Sequence, residues 1–109
     1  MTSIGSGSSN FFDESFPGVD ANAASTTSVL DVSATRELAW NVLGVTGTHT
    51  AHIITLQYSI DASVWYDTPS TVTGEGIAQT SVNAQYVRWK VTLVEGSIST
   101  VDIRCQGKN

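Results

Sequence analysis

A strictly alternating segment, residues 86–94, constrains the fold more than any other feature of the chain. Apolar side chains occupy every second position, with Val87, Trp89, Val91 and Leu93 on one face and Tyr86, Arg88, Lys90 and Thr92 on the other. This period of two is that of a β-strand with one buried and one solvated face. The pattern therefore predicts a half-buried antiparallel β-sheet.

Similar segments recur at short intervals from residue 27 onwards. Strands are predicted at residues 28–32, 36–45, 50–60, 64–67, 77–82, 86–94 and 99–105. The fourth is expected to end before Pro69, and a loop rich in Thr and Gly should follow it as far as Gly76. In residues 50–60 the better core face holds His52, Ile54, Leu56 and Tyr58. Seven or eight short strands separated by turn residues predict one all-β domain, a two-layer antiparallel β-sandwich of jelly-roll or immunoglobulin-like type.

Residues 59–65 predict a tight turn between two strands. Asp61 is expected to accept hydrogen bonds from the amides that follow it, which closes an Asx-type turn. Trp65 should then return onto the sheet and fill the volume under the hairpin, so that Trp65→Ala would cost about 3–5 kcal/mol. In this interpretation Trp65 and Trp89 occupy neighbouring core positions, and Tyr66 is the exposed aromatic residue of its strand.

Residues 1–26 are predicted to form a flexible N-terminal arm, ahead of a sandwich domain at residues 27–109. Neither strand nor helix periodicity persists there, although the Ala-rich residues 21–25 allow a short helix. Yet the arm holds all three phenylalanines of the chain, Phe11, Phe12 and Phe16. Because disordered tails normally lack aromatic residues, these side chains should order against the sandwich itself, a neighbouring subunit or another protein. We interpret them as anchors for a partner.

Charge and hydropathy exclude several classes of partner. The chain has 5 basic and 10 acidic residues and a net charge of −5, so it lacks the Lys and Arg fields that hold nucleic acid or an anionic membrane. No apolar run approaches the roughly 20 residues of a membrane span, and the residues after Met1 do not resemble a signal peptide. Cys105, the single cysteine, alternates with Val101 and Ile103 and is predicted to be a small buried side chain. Folding in a reducing cytoplasm is expected.

No arrangement of residues predicts catalysis. His49 and His52 are three positions apart, which on a strand places them on opposite faces, so we expect no zinc site. Asp61 and Asp67 flank Trp65, but without a cleft they are better interpreted as solvated turn carboxylates than as a glycosidase pair. The sequence has no Gly-x-Ser-x-Gly nucleophile elbow. The expectation is a protein that is not an enzyme and uses neither a metal nor a cofactor.

Two motifs carry a resemblance to known proteins: the hairpin Ser59-Ile60-Asp61-Ala62-Ser63-Val64-Trp65, and the strand Tyr86-Val87-Arg88. They are similar to the signature of discoidin-like β-sandwich modules, and resemble even more the small virion proteins of tailed bacteriophages, where a Ser-x-Asp-Gly-x-x-Trp hairpin precedes a Tyr-x-Arg strand. This chain departs from that pattern at Ala62, where the family usually has Gly. An Ala held at positive φ would cost about 1 kcal/mol, so a different turn type is expected.

The resemblance implies a structural protein of a phage virion, assembled in the host cytoplasm. A capsid decoration (cement) protein is the form it favours, docked on the major capsid protein through the N-terminal arm. The partners implied are the capsid lattice and further copies of the chain itself, arranged as a homotrimer. Apolar anchors normally dominate such interfaces, which suits the phenylalanines of the arm.

Two other functions remain open at this point. The first is a carbohydrate-binding module on a tail fibre or capsid surface, with Tyr66 and Asp67 as the glycan contacts. Trp40 and Glu75 are further candidates for that site, and Asp31 or Asp61 could bind Ca²⁺, although the chain lacks the dense Asp/Asn loop that this ion prefers. The second is a head–tail accessory subunit, which would need the same sandwich and arm.

Overall fold

The computed structural model describes residues 12–21, 24–46, 52–92 and 100–108, and all their regular structure is β. These residues contain nine strands. Their bounds are β1 Phe12–Asp20, β2 Ser25–Thr26, β3 Leu30–Asp31, β4 Glu37–Thr46, β5 Ile53–Ser59, β6 Tyr66–Thr73, β7 Gly76–Ser81, β8 Tyr86–Thr92 and β9 Thr100–Lys108. The prediction of an all-β antiparallel sandwich is confirmed.

The strands form two antiparallel sheets. The first has the order β1-β9-β4-β7. In the second the order is β2-β8-β5-β6, and β3 pairs with β8 beside β2. The turn at Gly74 and Glu75 carries the chain from β6 at the edge of the second sheet to β7 at the edge of the first, so these two edges lie on the same side of the sandwich.

The core lies between the sheets and is built from the alternating positions of four central strands. These buried residues are Leu38, Trp40 and Val42 on β4, Ile54 and Leu56 on β5, Val87, Trp89 and Val91 on β8, and Val101, Ile103 and Cys105 on β9. At its centre the ring of Trp89 meets that of Trp40 edge-on, with centroids 5.9 Å apart. Edge-to-face pairs of this kind add to the stability gained from burial alone.

Cys105 lies in this core as predicted. Burial, followed by the nearby carboxylates of Glu14 and Asp13, raises the pKa of its thiol to about 12. Because the thiolate is the reactive form, the side chain is inert at neutral pH.

The boundary predicted at residue 26 is wrong, because residues 12–20 of the proposed arm form β1, which pairs with β9. Phe16 contacts Trp89 with ring centroids 5.6 Å apart, and Phe12 also packs against the core. The interpretation of Phe12 and Phe16 as anchors for a partner is therefore corrected, since both side chains are part of their own domain. Phe11 lies outside the described residues.

Three features of β1 explain why its strand pattern is not recognisable in the sequence. Glu14 places an exposed charge on the face that also carries Cys105, which is tolerated because β1 lies at the edge of its sheet. The pairing register then shifts between Phe16 and Val19, where Pro17 and Gly18 interrupt the ladder. Gly18 has φ +64°, and its N–H is 2.8 Å from Asp102 Oδ1. The period of two is broken by these local irregularities rather than by disorder.

Two strand predictions and one helix prediction also need correction. β6 does not end before Pro69 but continues to Thr73, because it is an edge strand with a bulge at that point. Leu56 faces residues 68–70 there, and Thr68 Oγ1 donates to its carbonyl at 2.8 Å. The single strand predicted at 28–32 is replaced by the two short strands β2 and β3, and Ser25 begins β2 rather than ending a helix.

Candidate interaction surface at the β5–β6 turn

The β5–β6 turn, residues 60–65, is held by two side chains. Ser59 Oγ accepts hydrogen bonds from the amides of Asp61 (3.2 Å) and Ala62 (2.8 Å). Asp61 Oδ1 accepts from the amides of Ser63 (2.9 Å) and Val64 (3.1 Å), and from the hydroxyl of Ser59 (3.1 Å). The bonds from Val64 and then Ser63 hold the pKa of Asp61 below its usual value of 3.8. The predicted Asx-type turn is confirmed, and four consecutive amides have partners within it.

Ala62 stands at the tip of this turn with φ +62°, in the left-handed region. A different turn type, expected because Ala replaces the usual Gly, is therefore not formed. The hydrogen bonds of Ser59 and Asp61 impose the conformation on a residue that does not favour it.

Ala62→Gly should stabilise the domain by about 0.5–1 kcal/mol, because glycine relieves the left-handed strain by more than it adds to the entropy of the unfolded chain. Urea unfolding followed by circular dichroism measures the change. Ser63→Gly is the matched control, since Ser63 lies in the same turn without a positive φ and should lose stability. A loss of stability at both positions would contradict the strain at Ala62.

Three large apolar side chains project from this rigid turn and from the first residue of β6. Ile60 is 78% exposed, Val64 53% and Tyr66 66%; we call these three residues the apolar tip. Single exposed apolar residues are common on protein surfaces, whereas a group of them on a fixed loop marks a contact site. Hydrogen bonds already hold the backbone of the turn, so its ordering would cost little conformational entropy on binding.

A polar cluster lies on the outer face of the second sheet, on strands β5, β6 and β8. It consists of Gln57, Asp67, Arg88 and Lys90. Gln57 accepts from Arg88 Nε at 2.8 Å and donates to Asp67 Oδ1 at 2.8 Å. Lys90 Nζ lies 2.9 and 3.0 Å from the two oxygens of Asp67. The hydrogen bond from Lys90, followed by that from Gln57, lowers the pKa of Asp67.

Trp65 joins this cluster and not the core. Its ring lies under the guanidinium of Arg88, whose Cζ is 4.3 Å from the ring centroid. The prediction that Trp65 fills the volume under the hairpin is therefore wrong. The two tryptophans that meet in the core are Trp40 and Trp89. The large loss of stability predicted for Trp65→Ala is therefore expected for substitution of Trp40 or Trp89 instead.

Tyr66 and Asp67, the predicted glycan contacts, lie on opposite faces of β6. Tyr66 is paired with Tyr58, whose hydroxyl donates to the Ser81 carbonyl of the other sheet, whereas Asp67 is paired with Gln57 on the outer face. Paired residues of antiparallel strands share a face. The structure confirms that Tyr66 is exposed, but it does not bring the two residues together.

The other predicted site residues are also dispersed. Trp40 is buried and donates from Nε1 to Ser70 Oγ at 2.9 Å, so it is not available to a glycan. Glu75 accepts from the amide of Gly44 at 2.9 Å, at the opposite end of the sandwich from the tip. His52 is buried just before β5, and His49 lies outside the described residues. Within the described ranges, no three His, Cys, Asp or Glu side chains are placed to hold a metal ion.

Comparison with known proteins gives a likeness in fold alone. No family model and no curated protein matches the sequence. Among solved structures, the SPBc2 prophage-derived protein YomS is similar with a TM-score of 0.64 and 15% identity, over 91% of this chain and 95% of that one. FLHE is similar with a TM-score of 0.54 and 13% identity (89% and 93% covered), and PirA with 0.52 and 14% (96% and 99% covered). Of the residues described, none belongs to a helix long and apolar enough to cross a membrane.

Proposed function

We propose that this chain is a non-enzymatic structural protein of a phage virion, and that it decorates the capsid by docking its apolar tip on the major capsid protein. The observation that carries the proposal is the tip itself, where Ile60, Val64 and Tyr66 are held exposed by the hydrogen bonds of Ser59 and Asp61. A few side chains seated in pockets, Tyr among the most frequent, supply most of the affinity in protein interfaces.

Two further observations support this function. The sandwich is similar over nine tenths of its length to a prophage-derived protein, which is consistent with a phage origin. The polar cluster on the outer face of the second sheet already has its hydrogen bonds made within the chain, which suits a structural role better than that of a reacting centre. The virion is the location that this function requires.

The proposal is tested with particles of the phage that encodes the chain. Quantitative mass spectrometry of purified particles should find the chain at a copy number comparable to that of the major capsid protein. A handful of copies per particle would assign it instead to the tail or to the head–tail joint. Complete absence from the particles would overturn the virion function.

Docking is tested by adding purified protein to capsids that lack it. The double variant Ile60→Ser with Val64→Ser should reduce capsid occupancy at least about 10-fold, since an apolar anchor contributes about 2 kcal/mol or more when it is buried in an interface. The control is Val29→Ser with Leu43→Ser, which removes two other exposed apolar side chains. If both double variants bind as the wild type does, the tip is not the docking surface.

A carbohydrate-binding role is the second candidate, and the exposure of Tyr66 favours it. Stacking on a sugar needs only one open aromatic face, but Asp67 would have to exchange its bonds to Gln57 and Lys90 for bonds to the glycan. Binding to a glycan array that Tyr66→Ala abolishes, together with unchanged capsid occupancy, would select this function over capsid docking.

A further inference from the structure

Three of the four sheet edges in the described structure carry features that oppose pairing with another strand. β1 has Pro17, a register shift, and the exposed charge of Glu14 on the face that also carries Cys105. β6 has Pro69 within its bulge, and β2 and β3 are two residues long. Prolines, bulges, charges and short strands are the devices by which natural sheets avoid edge-to-edge association. β7 is the fourth edge, and it has none of these devices.

β7 has the sequence Gly76-Ile77-Ala78-Gln79-Thr80-Ser81, without proline or charge. It pairs with β4 in unbroken register from Gly76 to Ser81, and no other strand of the described residues pairs with its far side. Ile77 on this edge is 71% exposed. An uncharged edge in unbroken register with an exposed apolar side chain is a template for strand addition.

The hydrogen bonding of β7 fixes which of its groups face outward. Just beyond the β4–β7 ladder, the amide of Val82 donates to the carbonyl of Arg36 at 2.8 Å, in line with the strand register, so the Val82 amide points toward the β4 side. Because hydrogen-bonded pairs alternate along an antiparallel ladder, even-numbered residues of β7 bond to β4 and odd-numbered residues direct their N–H and C=O groups away from it. The carbonyl of Ser81 agrees with this pattern, since it accepts a hydrogen bond from the hydroxyl of Tyr58 on the other sheet and not from β4. The backbone groups of Ile77 and Gln79 therefore face the free side.

We propose that β7 pairs with β7 of a second copy of this chain, in antiparallel orientation, about a two-fold axis at Ala78. In this register Ile77 of each copy lies opposite Gln79 of the other, and the two residues exchange four backbone hydrogen bonds in all. An axis at Gln79 would instead pair Ile77 with Ser81, whose carbonyl is already engaged by Tyr58.

The proposed register also suits the side chains. Inward-facing residues meet inward-facing residues, and the two copies of Ile77 become diagonal neighbours within reach of each other on the outer face. Ala78 lies on the axis in a non-hydrogen-bonded pair, where strands approach most closely. No charged residue of β7 opposes association, although the chain carries a net charge of −5. The first sheets of the two copies join into one sheet of eight strands, a two-fold contact in place of the trimer that the family resemblance implies.

The oligomeric state in solution tests this inference independently of the virion function. Light scattering during size exclusion, with the full chain over a range of concentrations, should give the mass of two chains. Ile77→Lys places a charge on the edge and should weaken the dimer at least about 10-fold. Leu43→Lys is the matched control, since Leu43 is also apolar and exposed but lies on the internal strand β4, and it should remain dimeric. A wild-type monomer or trimer, or a dimer that survives Ile77→Lys, would overturn the proposal.

Cross-linking tests the register. Ala78→Cys should form an intermolecular disulfide on mild oxidation, because Cα atoms of a non-hydrogen-bonded pair are about 4.5 Å apart, within the range of a disulfide. Gln79→Cys should not, since its symmetry mate is not its pairing partner in this register. Cys105 gives no background, because its thiol is buried and its pKa is raised to about 12. Cross-linking at residue 79 but not at residue 78 would overturn the axis at Ala78.

Discussion

Trp89→Ala is expected to lower the free energy of unfolding by about 3–5 kcal/mol, as large-to-small changes of a buried aromatic residue do. Trp89 has no exposed surface and touches an aromatic ring from each of two other strands, Trp40 on β4 and Phe16 on β1. The cavity left by its removal would therefore lie where both sheets and the edge strand meet. Domains of this size are stable by about 5–15 kcal/mol, so the loss is a large share of the total. Urea unfolding followed by circular dichroism measures it.

Trp65→Ala is the matched control, and its effect should be smaller, about 1–2 kcal/mol. Its ring is only half-buried and stacks against the guanidinium of Arg88 rather than against the core. Equal losses at residues 65 and 89 would mean that Trp65 fills the core after all. The sequence pattern predicted both Trp65 and Trp89 to lie in the core, and the two variants show which of them does.

The central strands could be predicted from sequence because apolar residues alternate with polar ones along them, even on β5, where both faces are largely buried. Val87, Trp89 and Val91 alternate with polar residues on β8, and β4 and β9 follow the same rule. Edge strands follow this pattern less strictly, since on one side their backbone has no strand to pair with, and prolines, bulges and charges are tolerated there. Glu14 on β1 and Pro69 on β6 are tolerated for that reason. Because of them, β1 was predicted to be a flexible arm and β6 to end before Pro69.

The candidate surface was predictable only where its interactions are local. The bonds of Asp61 to Ser63 and Val64 span two and three residues, so residue types alone predict the turn. The polar cluster joins Gln57, Asp67 and Arg88 from three strands, and its geometry depends on the register of β5 against β6, which shifts at the bulge. Register is a property of the paired sheet, and one strand does not specify it. Ile60 and Val64 are exposed because they lie in the turn between the strands. The alternation of apolar and polar residues did not predict this exposure.

Gly107→Ala should destabilise the chain by about 1–3 kcal/mol, the usual cost of forcing an extra methyl group into a packed site. A Cβ on Gly107 would lie 2.3 Å from Cε2 and 2.7 Å from Cζ of Phe12, the residue opposite it on β1. Either the Phe12 ring or the start of β1 must then move. Gly76→Ala is the control, since its Cβ would meet a single methyl carbon, Val72 Cγ1, at 3.2 Å, and it should cost less.

The same substitution decides what Phe12 does in the protein. If Phe12 packs on the core as the structure has it, Phe12→Ala should cost less in the Gly107→Ala background than in the wild type, because each change disturbs the same contact. Hydrogen exchange should then show β1 amides opening in Gly107→Ala while those between β4 and β7 stay protected, as expected when an edge strand detaches locally. If the two losses in the free energy of unfolding are additive and the exchange of β1 amides is unchanged, Phe12 does not depend on its contact with Gly107. It would then be free to bind a partner. A coupled loss confined to β1 would instead make Phe12 a structural residue of the sandwich, and the apolar tip would remain the better candidate for docking.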